Sequence, residues 1–226
     1  MNPNTVAIRT DTAIAANRLI RNTYTLLSMT LLFSALMAGV SMAIRLPVGA
    51  SLLCSVGAIV LLWFVLPRTA NSAAGLGVVF GITGLLGFGL GPVLNAYLGL
   101  PNGAEIVMSA LGLTGMVFLG LSAYALTTRK DFSFMGGFLV AGIWVAFIAG
   151  LVALGAALFG YPLPGLALAV SAMFAVLMAG FILYQTSLMV NGGETNYILA
   201  TVGLYVSIYN LFTSLLHLIG AFSGDE

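Results

Sequence analysis

Charged residues are scarce in this chain of 226 residues: only 6% are Asp, Glu, Lys or Arg, whereas 61% are hydrophobic. Average globular proteins contain about 25% charged residues. Seven basic and six acidic side chains cannot cover the surface of a soluble domain of this length. The composition therefore indicates an integral membrane protein and excludes a soluble enzyme or a disordered chain. A net charge of +1 also provides no basic field for nucleic acid.

Cysteine and histidine are almost absent, with Cys54 and His217 as the single examples. One cysteine excludes an intramolecular disulfide and any cysteine-cluster metal site. His217 has no cysteine or carboxylate neighbour in sequence, so we expect neither a bound metal nor a cofactor. A histidine that is hydrogen-bonded near a helix end is favoured over a pH sensor, which imidazole chemistry would also allow.

Long apolar runs between the charge clusters predict seven membrane-spanning helices, because about 20 residues cross the hydrocarbon core once. The predicted spans are about 22–44, 48–66, 74–98, 104–126, 134–159, 165–188 and 197–221. Short joints rich in proline, glycine and asparagine require consecutive spans to be antiparallel neighbours. The predicted fold is an all-α polytopic membrane domain over 22–222, with a polar tail at 1–21 and a short tail at 223–226.

The basic residues predict the orientation of these spans. Six of the seven lie on the side of the N-terminus, and only Arg45 lies on the other side. The positive-inside rule then places the N-terminus in the cytoplasm and the C-terminus outside. The first apolar run is longer than the 7–15 residues of a signal peptide's apolar region, so we expect it to remain as the first span.

Polar residues within the spans are concentrated in the last one, and no charged residue lies deep inside any span. This absence weighs against proton-coupled transporters and cation channels, and against an intramembrane hydrolase. Ser207, Asn210, Ser214 and His217 follow offsets of 0, 3, 7 and 10, which is one helix face. Packing between helices is the favoured interpretation of this stripe, and a polar pathway or ligand site is the alternative.

The third span is rich in glycine and continues into Pro92 and Asn95. Gly77–Gly81 and Gly87–Gly91 have the small-x-x-x-small spacing that lets helix backbones approach closely. Pro92 could also break the helix and free backbone carbonyls. Close packing is favoured over a hinge or cavity lining, and Asn95 is a further candidate for a central polar residue.

Four stretches resemble the Bax inhibitor-1 (TMBIM) family, especially its bacterial YccA-like branch of FtsH protease modulators. They are RNTYTLLSMTL at 21–31, GLGPVLNAYL at 89–98, ALTTRKDFSFMGG at 125–137 and GGETNYILATVGLYVSIYNLF at 192–212. The resemblance runs from about residue 17 to the end of the chain. It implies a seven-helix fold in which the other six helices surround the last.

Family members with a calcium-leak activity carry two hydrogen-bonded aspartates, at positions that this chain matches with Gln185 and Ser207. The resemblance therefore makes these two residues the polar core candidates that replace the acid pair. They can hydrogen-bond to one another, but neither titrates in an accessible pH range. Calcium also loses the carboxylate ligands that it prefers. We do not expect the ion activity of the family in this chain.

The resemblance implies a regulator of the bacterial inner membrane and not an enzyme. Such a regulator would bind the FtsH protease complex and its associated membrane proteins, and would limit the degradation of membrane proteins. The alternative is a calcium leak channel or small-solute transporter of the Bax inhibitor-1 type. That pathway would be lined by Gln185, Ser207, Asn210 and His217 around a broken third helix. The sequence leaves the oligomeric state and the contact surface open.

Overall fold

The computed structural model describes residues 3–223, with side chains from residue 14 onward apart from residue 48. Within this part the chain is helical and contains no strand. The elements are α1 Pro3–Ala43, α2 Val48–Val60, a π-helical turn Leu61–Val65, α3 Leu66–Thr69, α4 Ala73–Leu98, α5 Gly103–Thr128, a 3-10 turn Ser133–Met135, α6 Gly136–Leu158, α7 Pro164–Asn191 and α8 Tyr197–Ser223.

In the part of the chain that the structure describes, seven helical segments are long and apolar enough to cross a membrane, which confirms the predicted fold class. They are Ile14–Ala43, Gly49–Thr69, Ala73–Leu98, Gly103–Thr128, Ser133–Leu158, Pro164–Asn191 and Tyr197–Ser223. From the second span on, the observed ends lie within about three residues of the predicted ones. The first helix instead starts at Pro3, so the predicted polar tail is helical from residue 3 and continuous with the first span. Residues 1–2 and 224–226, the predicted acidic end included, lie outside the described residues.

The sequence predicts that the second span ends just before Pro67. In the structure the span continues to Thr69. Proline cannot donate a backbone hydrogen bond, and its ring crowds the carbonyl four residues earlier. The preceding turn widens to π-helical geometry, in which Leu66 N–H donates to Leu61 O five residues back. The helix thus passes Pro67 through a locally wider turn.

The chain divides into two compact units. The first comprises the residues up to Leu100 together with Met189–Tyr205, and the second comprises Pro101–Leu188 together with the chain from Val206. In the first unit, α1 and α2 both pack on α4. In the second, α6 packs on α7 at two glycines. A Cβ at Gly142 would lie 2.6 Å from Leu177 Cδ2, and one at Gly180 would lie 2.8 Å from Leu139 Cδ2.

The third predicted span is one unbroken helix, α4, with Pro92 inside it, so the helix break that was the alternative to close packing does not occur. Packing on two sides supports the helix near the proline. Gly91 contacts Ser41 of α1, and Gly89 lies against α2, where its carbonyl accepts a hydrogen bond from Ser51 Oγ. Of the two predicted glycine pairs, Gly87–Gly91 makes the close helix contact. Gly77 has no described atom within 4 Å of an added Cβ, other than its own helix.

The last helix is the most buried of the seven spans. Within its most apolar 18-residue window 61% of residues are buried, against at most 39% for any other span. This burial agrees with the central position that the family resemblance implies. Residues 197–205 of α8 belong to the first unit and the remainder to the second.

Candidate functional site

Tyr205 connects α8 to α1 and α4 within the first unit. Its side chain is only 1% exposed. The phenol donates to Thr83 O at 3.2 Å and lies 2.5 Å from Ser34 Oγ. The phenol has a single proton, and with that proton assigned to Thr83 O, Ser34 is the donor in the shorter contact. One buried side chain thus joins three helices of this unit by hydrogen bonds. Such bonds are stronger in an apolar surrounding than in water.

Asn196 organises the start of α8, also in the first unit. Its Oδ1 accepts from the backbone N–H groups of Ile198 at 2.8 Å and Leu199 at 3.3 Å, which is an N-cap. Its Nδ2 donates to Ala70 O at 3.0 Å and to Asn71 Oδ1 at 2.8 Å. A single amide therefore caps one helix and holds the segment between α3 and α4 against it.

Asn95, another predicted candidate, also lies in the first unit. Its Nδ2 donates to Met42 O at 3.2 Å, in the last turn of α1. The last carbonyls of a helix have no partner within the helix and need a donor from elsewhere. Asn95 supplies one, so its observed role is to join the ends of α1 and α4.

Gln185 and Ser207, the two positions matched to the family's acid pair, both lie in the second unit. Ser207 is 2% exposed. Gln185 Oε1 is buried and accepts no hydrogen bond from any described residue. The Ser207 hydroxyl therefore does not donate to the Gln185 carbonyl oxygen. Thr186 Oγ1 and Ser122 Oγ in the same unit are likewise buried without a partner among the described residues, and such atoms are usually satisfied by ordered water.

Asn210 and Ser214 continue the stripe along α8 in the second unit. Asn210 Nδ2 donates to Val206 O at 2.8 Å, one turn earlier in its own helix. Ser214 is 7% exposed. Asn210 thus donates one amide proton to the backbone of its own helix, and this proton is not available to a polar pathway along this face.

His217 forms a cross-helix hydrogen bond in the second unit. Its Nδ1 lies 2.7 Å from Ser171 Oγ on α7. Ser171 Oγ also lies 3.1 Å from Ala167 O. We assign the hydroxyl proton to that carbonyl, and with this assignment Nδ1–H donates to Ser171 and Nε2 is the ring nitrogen that is left to accept a hydrogen bond. The contact joins α8 to α7 at this position.

The structure brings together several residues that the sequence analysis did not single out. Ser187 Oγ donates to Lys130 O at 3.0 Å and accepts from Phe132 N–H at 2.9 Å, which fixes the segment between α5 and α6. The sequence does contain a signal for the partner of Tyr205. The buried residues Thr23, Thr30, Ser34 and Ser41 follow helical spacing on α1, and they mark the face of α1 that packs inward.

The chemistry available at these positions is hydrogen bonding by hydroxyls, amides and one imidazole. Among the described residues there is no group of three or more His, Cys, Asp or Glu side chains that could hold a metal ion. The buried polar groups therefore supply ties between helices and, at His217, a polar atom beside an apolar cavity.

Comparison with known proteins gives a consistent result. The family model described as "Inhibitor of apoptosis-promoting Bax1" matches residues 16–224. The chain is 49% identical to the Escherichia coli K12 protein named "Modulator of FtsH protease YccA", over 94% of both chains. It is also 49% identical to an uncharacterized Pseudomonas aeruginosa protein, over 96% of both. With an uncharacterized membrane protein of Vibrio cholerae the identity is 46%, over 96% of this chain and 95% of that one.

Proposed function

The chain belongs to the Bax inhibitor-1 family and is a multi-pass membrane protein, and on that premise we propose that it regulates the FtsH protease in the bacterial inner membrane. It binds the membrane-anchored protease complex and limits the degradation of membrane proteins. The observation that carries this proposal is the 49% identity, over 94% of both chains, to a relative named as a modulator of FtsH.

The residues that tie the first unit together support this assignment beyond overall identity. A shared fold alone does not establish a shared function. The stretch 192–212 that carries the family resemblance contains Asn196 and Tyr205. Both residues hold α8 to neighbouring helices. This stretch thus ties α8 firmly to its neighbours, which suits a protein that acts by contact.

We place the N-terminus in the cytoplasm, on the side of the protease domain. The alternation of seven spans then puts Arg9, Arg18, Arg21, Arg68, Arg129 and Lys130 on the cytoplasmic side, and only Arg45 opposite. The part of α1 before Arg21 comprises 18 residues, 3–20, and is about 27 Å long as a helix. A segment of this length is sufficient to engage a protease.

A slowly processed substrate is one mechanism that fits this arrangement. The protease engages the N-terminal segment and pulls on α1. Extraction of α1 must then break the Ser34–Tyr205 and Asn95–Met42 hydrogen bonds and separate the close crossing with α4. While these contacts hold, the protease is occupied and degrades other membrane proteins more slowly.

The test is a mild-detergent pull-down of the full chain from native membranes, paired with the half-life of a membrane substrate of FtsH. We expect FtsH to co-purify and the substrate's half-life to lengthen when the chain is present. A variant lacking residues 2–18 should lose both effects, and a variant with residues 2–18 scrambled separates the length of the segment from its sequence. If the deletion leaves binding and inhibition intact, the tail mechanism fails. If FtsH is neither bound nor inhibited, the proposed function fails.

The competing assignment, a cation leak, is tested with the purified chain in liposomes. We expect no calcium flux, because the positions matched to the acid pair hold Gln185 and Ser207, which provide no carboxylate for a calcium ion. Robust, acid-gated calcium flux through the wild-type chain in the absence of any partner would favour the leak function instead.

A further inference from the structure

A cavity of about 360 Å³ lies in the second unit, where α6 ends, α7 begins and α8 approaches its end. We call it the His217 cavity. Ser171 and His217 are its two polar lining residues. The apolar remainder of the wall includes Gly150, Ala153, Ala157 and Val170. A volume of this size is at the lower end of the range of about 300–1,000 Å³ for small-molecule sites.

We infer that this cavity binds a single-chain amphiphile from the membrane, whose polar end donates a hydrogen bond to His217 Nε2. The inference goes beyond the proposed regulation of FtsH and does not depend on it. The chemical class of the ligand is a long-chain alcohol, which has an apolar chain that ends in a hydroxyl group.

The hydrogen bonds of Ser171 determine the polarity of the ligand. With the Ser171 proton assigned to Ala167 O, Ser171 Oγ accepts from His217 Nδ1–H. Nε2 is then the ring nitrogen that can accept from a ligand, since it has no hydrogen bond to a described residue and His217 lines the cavity. A hydrogen-bond acceptor such as Nε2 in an apolar wall favours a ligand that carries a donor. It forms no hydrogen bond with a hydrocarbon, and it repels a carboxylate.

The surroundings of the cavity indicate that its ligand comes from the membrane. Leu154 and Leu163, two of its lining residues, are 51% and 44% exposed. Pro162 and Pro164 also line it, next to the exposed side chains of Leu158 and Phe159. In a chain of seven membrane spans, exposed apolar side chains of this kind face lipid. A ligand that enters past them must carry an apolar chain of its own.

A second groove, formed by α6 and α7 alone, provides an internal comparison. It has a volume of about 630 Å³ and is lined by Phe138, Ala141, Gly142, Val145, Ala172, Met173, Val176 and Leu177, all of which are apolar. This groove offers a chain nothing to hydrogen-bond, so it should accept alkanes and alcohols alike. The His217 cavity differs from it by one polar anchor.

The test uses the full chain in lipid nanodiscs with three photoreactive probes of equal length: a diazirine derivative of 1-hexadecanol, of hexadecane and of palmitic acid. Labelled peptides are mapped by mass spectrometry. We expect the alcohol to label the lining of the His217 cavity between residues 150 and 171 about two- to tenfold more than the alkane, which is the range that one net hydrogen bond gives. Unlabelled 1-hexadecanol should compete, and hexadecane should not.

Two alanine-to-leucine variants on α6 form the matched control. Ala153→Leu fills part of the His217 cavity and should abolish the preferential labelling by the alcohol. Ala141→Leu adds the same side chain to the apolar groove and should leave that labelling unchanged. His217→Phe should remove the preference for alcohol over alkane, and His217→Gln, which retains an acceptor, should restore most of it.

Three results would overturn the inference. Equal labelling by alcohol and alkane would mean that the cavity holds ordinary lipid chains only. Preferential labelling by palmitic acid would mean that the imidazole acts as a donor or a cation. Unchanged labelling of Ala153→Leu would place the bound probe elsewhere. Should His217→Phe fail to fold, the pair of leucine variants still decides the outcome, because neither of them removes a hydrogen bond.

Discussion

The crossing of α1 and α4 provides the sharpest test of how the first unit is held together. Gly87 and Gly77 lie on the same helix and are both substituted by alanine in the test. At Gly87 an added Cβ would collide with the backbone of Ser34, where the Cα atom is only 2.8 Å away. At Gly77 the same Cβ would meet no described atom within 4 Å, other than its own helix. One substitution therefore forces two helices apart, and the other does not.

The two substitutions should change the free energy of unfolding in opposite directions. Replacing a helix-interior glycine by alanine gains about 0.5–1 kcal/mol from reduced backbone entropy. Gly77→Ala should show this gain or remain neutral. Overpacking of a tight contact costs about 1–3 kcal/mol, and backbone atoms such as those of Ser34 cannot move aside as a flexible side chain does. Gly87→Ala should therefore lose about 1–2 kcal/mol in total.

Two assays measure this difference. Reversible unfolding in mixed detergent micelles gives the stability of each variant, and the half-life of each variant in membranes containing FtsH gives its resistance to extraction. A loss of about 1–2 kcal/mol raises the fraction of open molecules about five- to thirtyfold, and degradation follows this fraction when opening is faster than cleavage. Equal shifts for both variants would refute the argument that this glycine contact stabilises the unit.

Three further predictions concern individual hydrogen bonds. Tyr205→Phe should destabilise the chain by about 1–2 kcal/mol, and a double-mutant cycle with Ser34→Ala should give a coupling of about 0.6–1.7 kcal/mol; a coupling near zero would contradict the bond. Asn196→Ala should lower the free energy of unfolding by about 1–2 kcal/mol because the N-cap of α8 is lost. Asn196→Asp keeps the cap and loses only the amide donors, so it should cost less. An equal cost for both variants would show that the cap contributes nothing. The backbone N–H of Ser133, and then its hydroxyl, hold the pKa of Asp131 below its usual 3.8. Since the pKa is lowered in the folded state, the stabilisation is present above the ordinary value and is lost as pH falls through the lowered one; an NMR titration that gives an ordinary or raised value would refute this.

The spans were predictable because a membrane imposes a length on apolar runs, and prolines at Pro47, Pro101 and Pro162 mark the joints. The start of α1 was not predictable from the charges, because charged residues end a membrane span but do not end a helix. Between Pro3 and Gly39 the chain contains neither proline nor glycine, so nothing in the sequence stops the helix where the charges begin.

The packing partners were less predictable than the spans. Gly77–Gly81 and Gly87–Gly91 have the same spacing, yet Gly87 is the one that meets α1 closely. The distinction depends on the partner face, where small residues such as Ser34 and Ser41 permit close approach. Likewise His217 and Ser171 are separated by 46 positions in the chain, and no local pattern joins them.

The hydrogen bonds along α1, together with the residue found at the acid position, support regulation by contact over regulation by titration. In the first unit, Tyr205, Asn196 and Asn95 all spend their polar atoms on other helices or on the segments between them. The hydrogen bonds of Tyr205 and Asn95 reach α1, the helix that the N-terminal segment enters, where a pulling force would act first. In the second unit, the position that the resemblance assigns to an acid holds Gln185, whose buried oxygen has no described partner and cannot change charge. A device built on protonation would need its titrating group at that position, whereas a device built on resistance to extraction needs firm contacts along α1, and the chain provides the latter.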